Sequence, residues 1–230
     1  MQPSTQSKQI IANLFAATAP RAQTPAEERA NSLSHALALA AALAAAALLI
    51  ASAARRGDPA FLAAVCVYAV TGVGLYLAST LYHALPPGRA KDVLLVCDHA
   101  VIFLFIAGCY TPFSLGVLRG PWGTTLLVAV WSLALAGVAF KVIGGPDRYR
   151  KLGVGLYLGL GWALLLAAGP IWRLVPPAGL AWLLAGGLAY TLGIAFFRAE
   201  QVRYAHFIWH LLVLTGTICH YVAILFYAAR

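Results

Sequence analysis

The stretch that decides the fold is "AHFIWHLLVLTGTICHYVAILFYA", residues 205–228: 24 residues with no Asp, Glu, Lys or Arg. At a rise of about 1.5 Å per residue, such a run reaches about 36 Å as an α-helix, enough to cross a hydrocarbon core of about 30 Å. Inside a bilayer the backbone must satisfy its own hydrogen bonds, so the run is read as a helix. Two of its three histidines, His206 and His210, stand four residues apart at one end, which places both on one helical face.

The rest of the chain repeats this pattern. It has 230 residues, of which 62% are hydrophobic and 10% charged, with a mean hydropathy of +0.82. That balance lies outside the range of soluble domains. Apolar runs at 33–54, 60–85, 93–118, 122–142, 152–171, 178–197 and 205–228 predict seven spanning helices. They are joined by short connections such as "RRGDP", "PPGRAKD", "GGPDRYRK" and "LVPP", whose Pro, Gly and charged residues mark turns. Connections this short predict one all-α bundle of sequential antiparallel neighbours, spanning residues 27–230.

A net charge of +9 raises the question of nucleic acid, but the charges follow topology. The N-terminal segment and the second, fourth and sixth loops hold 11 of the 16 Lys and Arg, and the opposite side holds 5. The positive-inside rule then puts the N-terminus in the cytoplasm and the C-terminus outside, the reverse of a G-protein-coupled receptor, and nucleic acid is not an expected partner. Residues 1–26 are read as a flexible cytoplasmic tail. As a cleaved secretory signal the segment is poor, because Asn13 breaks its apolar core and the small-residue site runs into Pro20. Cys66, Cys97, Cys109 and Cys219 all fall within apolar runs without a C-x-x-C pair, and are read as small buried hydrophobes.

All six histidines and Asp98 lie within the spans. Ionisable groups at membrane depth are costly and face a bundle interior or a functional site. Antiparallel order brings His83, at the end of the second span, to the same level as Asp98, His206 and His210, near the starts of the third and seventh. Ser79 and His83 repeat the i, i+4 spacing of the later pair. An H-x-x-x-H pair alone is equally compatible with hydrogen bonding between helices. Convergence of three helices at one depth favours a metal, and three imidazoles with a fourth position for water is the pattern of a catalytic rather than a structural zinc site. Asp98 is placed to orient or deprotonate that water, and Ser79 to hold it or a substrate oxygen. Glu28, Asn31 and His35 are read as capping or hydrogen-bonding groups near the site. His99, about 100° around the helix from Asp98, is read as a packing residue.

These motifs resemble one family. "SxxxH" at 79–83, "CDHAVIFLFIAGCYTPF" at 97–113, "HFIWHLLVLTGTICH" at 206–220 and "EERANSLSH" at 27–35 look like the hemolysin III proteins, the bacterial branch of the progestin and adipoQ receptor family. The resemblance implies a multi-pass protein of the bacterial inner membrane, with a cytoplasmic N-terminus and an intramembrane zinc held by the residues matching His83, His206 and His210. In the wider superfamily, with its adiponectin receptors and alkaline ceramidases, the Ser and Asp matching Ser79 and Asp98 sit beside the metal, and ceramide-type amide hydrolysis is the associated chemistry. For the bacterial branch it implies a part in membrane lipid or energy homeostasis, and a haemolytic activity behind the name.

Three classes of function remain: a zinc-dependent hydrolase of lipid amides or esters, a sensor whose zinc merely fixes the bundle, and a pore. Membrane lipids are the expected partners. The helices lack the continuous polar face of a pore, and the seventh span has no Lys for a retinal Schiff base.

Overall fold

The computed structural model describes residues 21–145 and 150–229. Most of the expected N-terminal tail, four residues of the fourth loop and Arg230 lie outside them. Every regular element among the described residues is helical. The helices are α1 (Pro25–Arg55), α2 (Pro59–Ala84), α3 (Arg89–Leu115), α4 (Pro121–Gly144), α5 (Arg150–Gly161), a 3-10 segment (Ala163–Ala167), α6 (Ala168–Leu174), α7 (Pro177–Arg198) and α8 (Ala205–Tyr227). With α5, the 3-10 segment and α6 taken as one span, seven are long and apolar enough to cross a membrane. This is a multi-pass membrane protein.

Local sequence sets the helix starts. Pro residues open α1, α2, α4 and α7, where the missing N–H has no intrahelical partner to lose. Thr24 and Glu27 form a reciprocal capping box, the Glu27 N–H donating to Thr24 Oγ1 and the Thr24 N–H to Glu27 Oε2. This cap starts α1 eight residues before the expected run at 33, and so carries Glu28 and Asn31 into the helix. Asp58 caps α2 by accepting from the Ala60 and Phe61 N–H groups, and it pairs with Arg119 of the α3–α4 loop. Those N–H groups and that guanidinium hold its carboxyl below the usual range.

Each span packs on the next in sequence, and α8 closes the ring against α1. Close approach between α7 and α8 depends on small residues, the usual device where lipid removes the hydrophobic drive between helices. A Cβ on Gly193 would stand 2.6 Å from the Trp209 ring, and one on Gly216 would stand 2.7 Å from Tyr190. Large apolar side chains such as Leu37, Leu48, Val70, Val128 and Phe226 face outward, as a lipid-facing surface requires. The expectation of four buried cysteines holds for Cys109 and Cys219; Cys66 is half-buried and Cys97 faces outward, all four being free thiols.

The fifth span departs from the continuous helix expected over 152–171. The helix ends at Gly161, tightens through the 3-10 segment and restarts at Ala168, just before Pro170, which could not donate to the Leu166 carbonyl one turn back. There Pro170 lies in a first turn, where its missing N–H costs nothing. Broken backbone at membrane depth needs partners from neighbouring helices. Tyr110 of α3 supplies them: its hydroxyl lies 2.9 Å from the Leu160 carbonyl and 2.7 Å from that of Gly161, and accepts from the Leu164 N–H at 3.0 Å.

Candidate metal centre

The ends of four helices meet at one end of the bundle: the start of α1, the end of α2, and the starts of α3 and α8. There α2 contributes Ser79 and His83, α3 contributes Asp98, and α8 contributes His206 and His210. Ser79, His83, Asp98 and His210 are buried, and His206 is partly so. The rings of His83, His206 and His210 form a triangle, with centroids 5.0 Å, 5.0 Å and 4.7 Å apart. One nitrogen from each lies within 4.8 Å of the others. These five side chains are the ones the sequence singled out, and the fold brings them together. His99 is not one of the three mutually close ligands; its ring is edge-on to Phe197 and its carbonyl accepts from the Tyr157 hydroxyl.

Hydrogen bonds assign the ring orientations of two of the three. His83 Nδ1 lies 2.6 Å from Glu28 Oε2, and a carboxylate only accepts, so Nδ1 is the donor in this pair and Nε2 is the nitrogen left to ligate. His210 Nδ1 lies 3.2 Å from the Asn31 carbonyl and 3.1 Å from Ser34 Oγ. Ser34 already donates its own proton to that carbonyl, so His210 Nδ1 is again the donor and its Nε2 is free to ligate.

The donor set fits a metal. His83 Nε2 is buried with no hydrogen-bond partner. Such a group costs about 1–3 kcal/mol when left unsatisfied, whereas a cation shared with His206 and His210 satisfies it. Three neutral imidazoles with a carboxyl nearby suit a borderline-soft divalent ion.

A fourth ring belongs to the cluster. His35 of α1 stacks on His210 with centroids 3.5 Å apart and planes 7° apart, and it meets Tyr76 edge-on. Both of its nitrogens are buried without a partner, and its ligand atoms are not among the mutually close three. Glu28, Asn31 and His35 follow the i, i+3, i+7 spacing of one helical face, a signal readable once α1 is known to start at Pro25.

From this polar end a cavity of about 350 Å³ runs into the bundle. Ser79, Asp98, His35 and His210 line its polar end, and His220 and Tyr190 line it deeper in the bundle. His210 and His220 are ten residues apart on α8, so the cavity extends about 15 Å along that helix. Its walls between are apolar, with Ile102, Phe105, Ile106, Leu183 and Val213 among them.

Comparisons with known proteins agree with these features. The family model described as "Haemolysin-III related" matches residues 23–221, which include all five site residues. The chain is 37% identical over 204 residues to the hemolysin-3 homolog of Bacillus subtilis (strain 168), covering 89% of this chain and 95% of that protein. It is 38% identical over 201 residues to hemolysin-3 of Bacillus cereus, covering 87% and 91%. The monocyte to macrophage differentiation factor of Homo sapiens is 29% identical over 170 residues, covering 71% and 70%. Seven spans, the converging motifs and a match along nearly the whole chain lead to one assignment: the chain belongs to the Haemolysin-III related family.

Proposed function

We propose that this protein is a zinc-dependent hydrolase of membrane lipids, acting on an amide or ester bond at the three-histidine end of the cavity, with a role in membrane lipid or energy homeostasis. One observation carries the reading: Ser79, Asp98 and His210, the last a member of the histidine triad, line the polar end of a long apolar cavity. A lipid binding there lays its acyl chain along the apolar walls and leaves its carbonyl among the polar groups. His83, His206 and His210 hold the zinc. When bound, zinc supplies Lewis acidity, lowering the pKa of water and polarising a carbonyl. Asp98 takes the proton of the attacking water at a carboxylate oxygen and returns it to the leaving group. Ser79, beside the Asp98 carboxyl, orients the water or the carbonyl oxygen through its hydroxyl. The apolar walls exclude bulk water, which strengthens each of these interactions.

A second reading rests on the ties to α1. Glu28 and the Asn31 carbonyl join α1 to His83 and His210, so a metal there also cross-links α1, α2 and α8, as a zinc-stabilised sensor requires. A pore is poorly supported by a cavity whose walls are apolar along most of its length.

Elemental analysis of detergent-purified protein tests the metal, with close to one zinc per chain expected. His83→Ala, His206→Ala and His210→Ala each lose most of it, and His99→Ala keeps it. Near-stoichiometric zinc in all three ligand variants would overturn the site. Fatty acid release from ceramides, other N-acyl lipids and phospholipid esters in lipid nanodiscs tests the chemistry. Zinc without release from any of them supports the sensor instead.

A further inference from the structure

We propose that Glu28, locked in place by Lys91, is the positioning residue that presents His83 to the metal, so that α1 and the first turn of α3 set how tightly the site holds its ion. The inference rests on the metal reading above and goes beyond its three ligands.

The geometry runs outward from the metal side. His83 Nε2 is buried and unpartnered, while Nδ1 on the far edge of the ring lies 2.6 Å from Glu28 Oε2. That contact fixes the tautomer and the ring plane together, and a carboxylate behind an imidazole raises its basicity toward a metal. Glu28 is itself fixed. Its other oxygen, Oε1, accepts from Lys91 Nζ at 3.0 Å, and Lys91 also donates to the Leu85 carbonyl at 3.1 Å, just past the end of α2. The same ammonium lies 4.7 Å from the centroid of the Tyr82 ring, which is edge-on to His83.

A closed circuit results, from His83 on α2 to Glu28 on α1, to Lys91 on α3 and back to the end of α2. The Glu28 side chain is 24% exposed and that of His83 fully buried, so the circuit leads from the metal side toward the end of the bundle. His210 has only a neutral carbonyl and a hydroxyl behind it. Among the described residues no carboxylate is hydrogen-bonded to His206 or His210, so charge support falls on His83. An ion pair serving the fold alone would not need one carboxylate oxygen on the imidazole and the other on the ammonium.

The test compares wild type, Glu28→Gln, Glu28→Leu and Lys91→Met as full-length protein in nanodiscs. Zinc affinity is read by competition with a chromogenic chelator, and the visible spectrum is recorded after cobalt(II) replaces zinc. Glu28→Leu weakens zinc binding about 10- to 100-fold, the usual effect of losing such a partner. Glu28→Gln keeps an acceptor but loses the charge, so it falls between Leu and wild type, and Lys91→Met, which frees a carboxylate still present, also lies between. The cobalt bands shift in Glu28→Gln, because ligand basicity has changed while the ligand set has not. Wild-type affinity with unmoved cobalt bands in Glu28→Gln and Lys91→Met would overturn the inference, even if Glu28→Leu did not fold. Lowered thermal stability of the metal-free variants with unchanged zinc affinity would likewise reduce the circuit to a fold contact. Failure of the wild type to take up zinc or cobalt would overturn the metal reading itself, and this inference with it.

Discussion

Asp98 is a carboxyl on a membrane helix, buried and lining the cavity beside Ser79, where a residue serving only to pack would be apolar. Asp98→Asn keeps size and polarity while removing the ability to take a proton. The proposed chemistry therefore predicts that it retains zinc and thermal stability yet loses about 10²- to 10⁴-fold in lipid hydrolysis, the scale of general acid–base catalysis. Fatty acid release measured in nanodiscs, beside zinc content, checks this; release unchanged from wild type would take Asp98 out of the reaction. At this scale much was readable in the chain. The spacings His206–His210 and Ser79–His83, with the antiparallel order of the helices, were enough to expect the five side chains at one depth. The backing of His83 by Glu28 was not, because the two stand 55 residues apart and an apolar-run count starts the first helix too late. The stack of His35 on His210 was equally hidden, since spacing gives the face a ring lies on but not what it meets there.

Among the elements, the fifth span shows where hydropathy stops being informative. Hydropathy averages side chains and does not register a missing N–H, so a run containing Pro170 reads as one helix although its backbone breaks after Gly161. The sequence carries the warning in Pro170 and in Gly159, Gly161 and Gly169, but not the remedy, which lies on α3. Tyr110 meets two carbonyls and one N–H at the break with a single hydroxyl. Tyr110→Phe leaves the ring to pack and removes only that oxygen. Leaving the Leu164 N–H unsatisfied is expected to cost about 1–3 kcal/mol. Hydrogen–deuterium exchange in nanodiscs should then accelerate over 161–167 and not over α8, with a lowered thermal midpoint. Because Tyr110 and Leu164 both line the cavity, loss of the bond also loosens the cavity wall, whereas unaltered exchange would mean that the break is held by packing alone.

For the whole molecule, the site lies at one end of the bundle, and the distribution of Lys and Arg decides which side of the membrane that end faces. The 11-to-5 asymmetry predicts that the end carrying Glu28, His83, Asp98 and His206 faces the cytoplasm. The first turn of α3, which holds Arg89 and Lys91, lies at that same end, so the topology can be read beside the site itself. In a background lacking Cys66, Cys97, Cys109 and Cys219, a membrane-impermeant thiol reagent applied to intact cells should fail to label Arg89→Cys and should label Arg230→Cys. Permeabilisation should then expose position 89. The outcome bears on chemistry as well as orientation: a cytoplasmic site draws lipid from the inner leaflet and zinc from the cytoplasmic pool. The reverse labelling pattern would move the proposed hydrolysis to the opposite leaflet and turn the Glu28–Lys91 circuit toward the outside of the cell.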